Sequence, residues 1–253
     1  LSSGQKYKND WFGVDTDSNT LYVGFNNSAK HGDTIRVFTA NSNSVTAVND
    51  TDSVNEDAAV TKTASQDDVL NDDSDPESDS FSVTHIKKDG GTNSAVSSGT
   101  NNSNGTSVTG TYGTLVIGAD GSYTYTADQD AADDLDANDT APDTFVYTIT
   151  DDHGATDTAD LVITVTGVND DPVAVNDTDT VTADQSVSKS ASQDDVMNDD
   201  SDPDDDDTFT VTHIKKSGGS NSTVSSSTTN ADGTSVTGTY GVLTIGADGS
   251  YTY

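Results

Sequence analysis

GTYGTLVIGADGSYTY, residues 110–125, returns as GTYGVLTIGADGSYTY at residues 238–253, changed only at Thr114/Val242 and Val116/Thr244. Inside it Leu115, Ile117, Tyr123 and Tyr125 alternate with Thr, Val or Ser, the period of two that marks a half-buried strand. FVYTIT at residues 145–150 and LVITVT at residues 161–166 carry the same alternation. Gly and Asn/Asp turns separate these runs at short spacing, which reads as a β-sandwich.

The repeat extends outward from there. AVNDTDSV at Ala47 returns as AVNDTDTV at Ala174, and ASQDDVL at Ala64 as ASQDDVM at Ala191, an offset of 127 that becomes 128 from Phe81/Phe209 onward. So long a period indicates a tandem array of independent modules, because solenoid units are shorter and do not fold alone. The expectation is therefore an all-β chain of tandem sandwich modules in an elongated array. Residues 47–173 form one complete module and residues 174–253 the first two thirds of the next. Residues 1–46 read as the C-terminal part of a divergent preceding module, since TLYVGF at Thr20 and TIRVFT at Thr34 precede TAVNDTDSV as FVYTIT and LVITVT precede PVAVNDTDTV. The competing reading of residues 1–46 is an aromatic ligand-binding patch.

Within the complete module, strands are expected near 51–55, 58–63, 80–88, 106–112, 114–118, 121–127, 143–150 and 159–167, with a loop at 89–105. The inward set is Phe81, Val83, Leu115, Ile117, Tyr123, Tyr125, Phe145, Tyr147, Ile149, Leu161, Ile163 and Val165. DQDAADDLDAND, from Asp128, is expected to be a solvated acidic loop, with a helical turn as the alternative, Leu135 being its only large apolar residue. In the second copy, Leu243, Ile245, Tyr251 and Tyr253 are expected to be poorly covered, because counterparts of FVYTIT and LVITVT do not follow them. The chain reads as a window on a longer polypeptide.

Asp plus Glu number 44 against 10 Lys plus Arg, a net charge of −34, and 30% of residues are hydrophobic. Self-repulsion at this density opposes compaction unless cations neutralise it. Nucleic acid and anionic membranes are disfavoured as partners. The chain has no cysteine, which excludes disulfides and zinc–thiolate sites. No apolar run approaches the ~18 residues of a membrane span.

The strongest local signal is the acidic loop. Asp73, Asp75, Glu77 and Asp79 stand at alternate positions, and Asp200, Asp202 and Asp204 repeat the start of the pattern. Calcium takes about 6–8 hard oxygen ligands, which alternating carboxylates on a turning backbone can converge to supply; a solvated acidic turn is the plain alternative. The loop is not an EF-hand, lacking Gly at the sixth position and Glu at the twelfth. Asn49/Asp50 and Asn176/Asp177 are explained by Asx turns, with calcium ligation a second reading. His85 and His213 sit in identical VTHIKK strands and read as structural positions, with the following lysines guarding an edge strand. His31 and His153 stand alone on turns. No nucleophile elbow or cleft-flanking carboxylate pair is present, and no enzyme is expected.

GTYGTLVIGADGSYTYTAD, with DTFVYTITDDHGATDTADLVITVTGVNDDPVAVND after it, resembles the VCBS repeat. DDVLNDDSDPESDSFSVTHI is similar to the acidic segment of bacterial cadherin-like modules. The resemblance covers residues 47–253. It implies an extracellular Ig-like or cadherin-like sandwich in giant bacterial surface adhesins, many of them exported by type I secretion and stiffened by calcium. Gly167 to Val173 is similar to the calcium linker of cadherins, so the resemblance implies that Asn169, Asp170 and Asp171 are ligands of a cation between modules, with a flexible linker as the alternative; Asp171 departs from the usual Asn, and NSNSVTAVND, at the first junction, lacks the Asp-Asp-Pro.

The expected function is a calcium-rigidified structural or adhesive stalk at the bacterial cell surface, with Ca2+ as the cofactor. Its expected partners are neighbouring repeats, copies of itself, a surface glycan or a cell-surface receptor. Two other readings stand beside it: a subunit of a self-assembling filament joined head-to-tail by β-strand complementation, and a carbohydrate- or ice-binding module using Trp11 and Phe12.

Overall fold

A computed structural model describes residues 11–15, 20–24, 43–65, 67–191, 194–204 and 207–253. The chain divides into two units, Leu1–Ser42 and Asn43–Tyr253. In the first, β1 (Trp11–Asp15) pairs antiparallel with β2 (Thr20–Gly24), the first of the two expected apolar stretches. The second stretch, residues 34–39, and His31 lie outside the described residues.

The first copy is an all-β sandwich. Its strands in chain order are β3 (Asp50–Asn55), β4 (Ala59–Lys62), β5 (Phe81–Lys88), β6 (Ser94–Ala95), β7 (Thr106–Thr109), β8 (Thr114–Ile117), β9 (Tyr123–Thr126), β10 (Thr140–Asp151) and β11 (Thr156–Thr166). One sheet runs β3-β11-β10-β5-β6 and the other β4-β9-β8-β7. All pairings are antiparallel except β3 with β11, which run parallel from Asp50↔Leu161 to Asn55↔Thr166. That parallel pair brings the end of β3 beside the end of β11, where the chain leaves for the second copy.

Alternation decides which faces meet. Leu115, Ile117, Tyr125, Phe145, Tyr147, Ile149, Leu161, Ile163, Val165 and Val83 are fully buried, and the Thr, Val and Ser residues between them look outward. Tyr125 and Phe145 meet edge to face across the layers, ring centroids 6.0 Å apart. Phe81, expected inward, is only partly buried, because it sits at the end of β5 opposite Asp151 and packs on the margin of the core. β10 and β11 are longer than expected because their pairing is unbroken from Thr140↔Thr166 to Thr150↔Thr156, which extends β10 at its start and β11 at the turn. β7 is shorter, since Gly110 N–H bonds to Gly113 C=O (2.7 Å) and turns the chain.

Two further expectations are corrected. The acidic stretch after Asp128 is not a solvated loop throughout: α1 (Asp130–Asp133) is one helical turn, held because Ala132 is fully buried against the core. The Lys-Lys of VTHIKK does not close the edge of its sheet either, since β6 pairs outside β5 at His85 and Ile86.

In the second copy, β12 (Ser188–Lys189), β15 (Thr234–Thr237), β16 (Val242–Ile245) and β17 (Tyr251–Thr252) rebuild the smaller sheet in the same order, β12-β17-β16-β15. β13 (His213–Ile214) and β14 (Ser222–Thr223) rebuild the β5-β6 contact. Ile245 and Tyr251, expected to be poorly covered, are buried, at 5% and 8% exposure, packed with Val224 and Ala247 over Val187, Val196, Val211, Ile214 and Leu243. Residues 177–182, the counterpart of β3, form no strand; β3 is held in its sheet by β11 alone, and the sequence of β11 is not repeated.

Candidate metal centres

Three acidic constellations occur among the described residues of unit Asn43–Tyr253. The first is at the leading end of the sandwich. Thr46 and Ser74 exchange backbone hydrogen bonds (2.8 and 3.0 Å), which pins the acidic loop beside the first residues of the module. Beyond the pin the loop winds round Asp75, whose Oδ1 accepts the N–H of Glu77 (2.7 Å) and of Asp79 (3.2 Å). The β10–β11 turn is organised in the same way by Asp151: its Oδ1 accepts the N–H of His153 (2.9 Å) and of Ala155 (2.8 Å), while Gly154 takes φ 91°. Asp75, Asp79 and Asp151 each place an oxygen within 4.8 Å of the others. Asp151 is 6% exposed. Burial pushes its pKa up, but the N–H groups of Ala155, His153 and Gly154 outweigh that and hold it below its ordinary value. His153, expected to stand alone, does not: its Nδ1 lies 2.8 Å from Asp79 Oδ2 and 2.8 Å from Asp152 Oδ1. Those two carboxylates raise its pKa.

The second constellation surrounds the hydroxyl of fully buried Tyr147. Val48 C=O (2.8 Å), Asp50 Oδ2 (2.9 Å), Val69 C=O (3.0 Å) and Asp73 Oδ1 (3.4 Å) all face it. One O–H cannot donate to four acceptors. Burial, with the charges of Asp72, Asp73 and Asp68, pushes Asp50 up to about 7 against the opposing Tyr147 hydrogen bond. Burial likewise pushes Asp73 up to about 6, with Asp72 adding to it.

The third lies where the first copy hands over to the second. Glu56, just past β3, is 3% exposed, and its Oε1 accepts the N–H of Val168 (2.6 Å), just past β11. Two residues on, Asp170 N–H donates to Asp204 Oδ2 (2.7 Å) of the second copy's acidic loop. That loop is pinned by Val173 and Ser201 as the first is by Thr46 and Ser74. Asp204 is 3% exposed, and it forms a second close group with Asp202 and Asp207. Burial raises the pKa of Glu56, and Asp170, Asp204 and Asp133 add to it. Asp170 is raised by burial and then by Asp204, Asp57 and Asp202.

Glu56, Asp73, Asp75, Glu77, Asp151 and Asp204 each bury one carboxylate oxygen that has no hydrogen-bond partner. An uncompensated buried carboxylate is costly. A divalent cation supplies the missing partner to several such oxygens at once, and the donor set, all hard oxygens at the junction, suits calcium.

The loop residues read as one site therefore part company. Asp75 and Asp79 converge with Asp151, with the Glu77 backbone tied to Asp75. Asp73 turns inward to Tyr147 and accepts Val48 N–H (2.8 Å), as Asp200 accepts Val175 N–H (2.7 Å) in the second copy. Asp202 and Asp204 converge with Asp207, and Asp170 reaches Asp204. Asn169 and Asp171 are exposed, the Asn169 amide donating to the Asp170 carbonyl. The sequence singles out neither Glu56, Asp133 nor Asp151 as a ligand, and offers calcium ligation by Asp50 only as a second reading. Glu56 is hidden from repeat comparison because Ala183 stands in its place in the second copy. Asp151 had a faint signal in the DDHG turn between the two strongest strands.

No helix among the described residues is long and apolar enough to cross a membrane. A search of curated proteins finds no match. Among solved structures, a variant of an endo-fucoidan hydrolase from glycoside hydrolase family 107 is similar to the chain at 12% identity, with a TM-score of 0.32. That match takes in 100% of this chain and 29% of the hydrolase. The model of the bacterial cadherin-like domain matches residues 41–167, half of the chain and the span of the complete sandwich with its acidic loop. By fold and by sequence, the chain belongs to the bacterial cadherin-like domain family.

Proposed function

We propose that this chain is a calcium-rigidified structural or adhesive segment of a bacterial extracellular surface protein, and that it has no catalytic role of its own. The observation that carries the reading is the pairing of Glu56 and Asp204. Each is 3% exposed, each holds one unpartnered carboxylate oxygen, and they belong to different copies of the repeat. Asp170 joins them, bonded to Asp204 and electrostatically coupled to both. Bound calcium cancels charge among these oxygens and fixes their relative positions. Glu56 stands just past the end of β3, Asp133 at the end of α1, Asp170 in the connection, and Asp202 with Asp204 in the following loop, so a ligand shared among them resists bending at the connection. The reading is mechanical, and cations replace the disulfides that the chain lacks.

Calcium titration with thermal melting tests it. Binding to the folded state adds RT ln(1 + [L]/Kd), about 2.7 kcal/mol at ~100 times Kd, and extracellular sites bind at roughly 0.1–1 mM. Millimolar calcium is expected to raise Tm at constant ionic strength, with Glu56→Gln and Asp204→Asn each weakening the response. An identical melt in calcium and in chelator sinks the proposal.

A further inference from the structure

We propose that the β10–β11 turn carries a binding position for a borderline divalent metal such as Zn2+, ligated by His153, Asp79 and Asp152. It adjoins the all-oxygen group of Asp75, Asp79 and Asp151 and shares Asp79 with it. The proposal does not rest on the calcium reading of the junction, since Glu56, Asp170 and Asp204 take no part.

The ligand atoms of His153, Asp79 and Asp152 lie within 4.8 Å of one another, and among the described residues this is the one such group that contains an imidazole. Nδ1 of His153 is 2.8 Å from each of two carboxylate oxygens. That nitrogen carries at most one proton, which cannot point along both lines. A metal with bonds of about 2.0–2.2 Å to nitrogen and oxygen satisfies all three atoms, with only a small outward movement of the two surface side chains. Mixed imidazole and carboxylate donors suit zinc and its neighbours, whereas oxygen alone suits calcium.

The support is rigid. β10 and β11 pair along their whole length up to Thr150↔Thr156, and Asp151 holds the turn through two backbone N–H groups. Behind the position, Asp151 is more than nine-tenths buried, holds one unpartnered carboxylate oxygen, and belongs to the close group with Asp75 and Asp79. In front, His153 and Asp152 side chains are 62% and 58% exposed, leaving a coordination place open to water or a ligand. Asp79, at 21%, bridges the two groups.

The test is calorimetric titration of Zn2+ into the 253-residue chain in saturating calcium, with wild type, His153→Ala, Asp152→Asn and, as a control, His85→Ala, an exposed histidine on β5. His153 is exposed, so its loss leaves the fold intact, and an unchanged calcium-dependent melt of that variant verifies this separately from the zinc result. The expected result is one zinc equivalent in wild type and His85→Ala, weakened at least tenfold in His153→Ala and measurably in Asp152→Asn. Zinc is also expected to shift the His153 imidazole resonances and not those of His85. Equal isotherms for wild type and His153→Ala overturn the proposal, as does complete displacement of zinc by calcium.

Discussion

Among single residues, Asp50 has the least ordinary environment. It shares the Tyr147 hydroxyl with Asp73 and two carbonyls, and its pKa of about 7 stands well above the 3.8 of a free side chain. A carboxyl raised on folding binds its proton more tightly in the native state. Its stabilising contribution is complete below pH ~4 and is lost as pH rises through about 7. In chelator, the melting temperature of Asp50→Asn is therefore expected to gain on wild type between pH 5 and 7.5. Parallel pH profiles for the two proteins contradict this. The Asn-Asp motif at residues 49–50 is visible in the sequence, but Asn49 makes a long-range bond in addition to any turn, accepting Asp160 N–H (2.9 Å) from 111 positions away. The raised pKa of Asp50 was not visible, because it comes from burial and from the charges of Asp72, Asp73 and Asp68, which the folded chain brings to it.

At the level of elements, β10 is tied to the β7–β8 turn by one buried side chain. Asp143, 1% exposed, accepts the N–H groups of Thr111 (3.0 Å) and Tyr112 (3.1 Å) and the hydroxyl of Tyr125 (2.8 Å). The turn approaches so closely that a Cβ on Gly110 would stand 2.0 Å from Asp143 Oδ2. Hydrogen bonds to a charged group contribute about 1.5–3 kcal/mol each, and their loss leaves buried donors unmade. Asp143→Ala is expected to cost about 3 kcal/mol or more in urea denaturation, and Gly110→Ala to fall in the same direction because Asp143 must move. A cost below ~0.5 kcal/mol for Asp143→Ala, the usual range for surface changes, rules out this tie. Alternation located both strands and the turn in the sequence; it did not distinguish Asp143 from its many acidic neighbours.

On the scale of the whole chain, a net charge of −34 makes the fold sensitive to counter-ions of every kind. Screening shortens from roughly 30 Å at 0.01 M salt to about 10 Å at 0.1 M, so in chelator Tm is expected to rise with sodium chloride. Calcium is expected to exceed magnesium at equal concentration and ionic strength, because magnesium demands tight octahedral geometry and keeps its waters. Equal effects of the two ions, or of either and matched sodium chloride, indicate diffuse screening in place of built sites. The two copies are also not equivalent at this position: Ala183 occupies in the second the place that Glu56 holds in the first.

The sequence by itself determined the repeat, the all-β class and the inward faces of β5 and of β8 to β11. These depend on alternation along a few residues and on turns that Gly and Asn/Asp form locally. Tertiary structure alone decided which acids act together. With 44 of them in the chain, no local pattern sets Glu56 apart or marks Asp151 as a ligand, and the alternating pattern that picks out Asp204 does not reveal its partners. They become distinct because the parallel β3–β11 pair brings Glu56 to Val168 across 112 positions, and because the β10–β11 turn carries Asp151 and His153 onto a loop more than seventy residues earlier. Burial, which leaves their oxygens without partners, is a property of that packing.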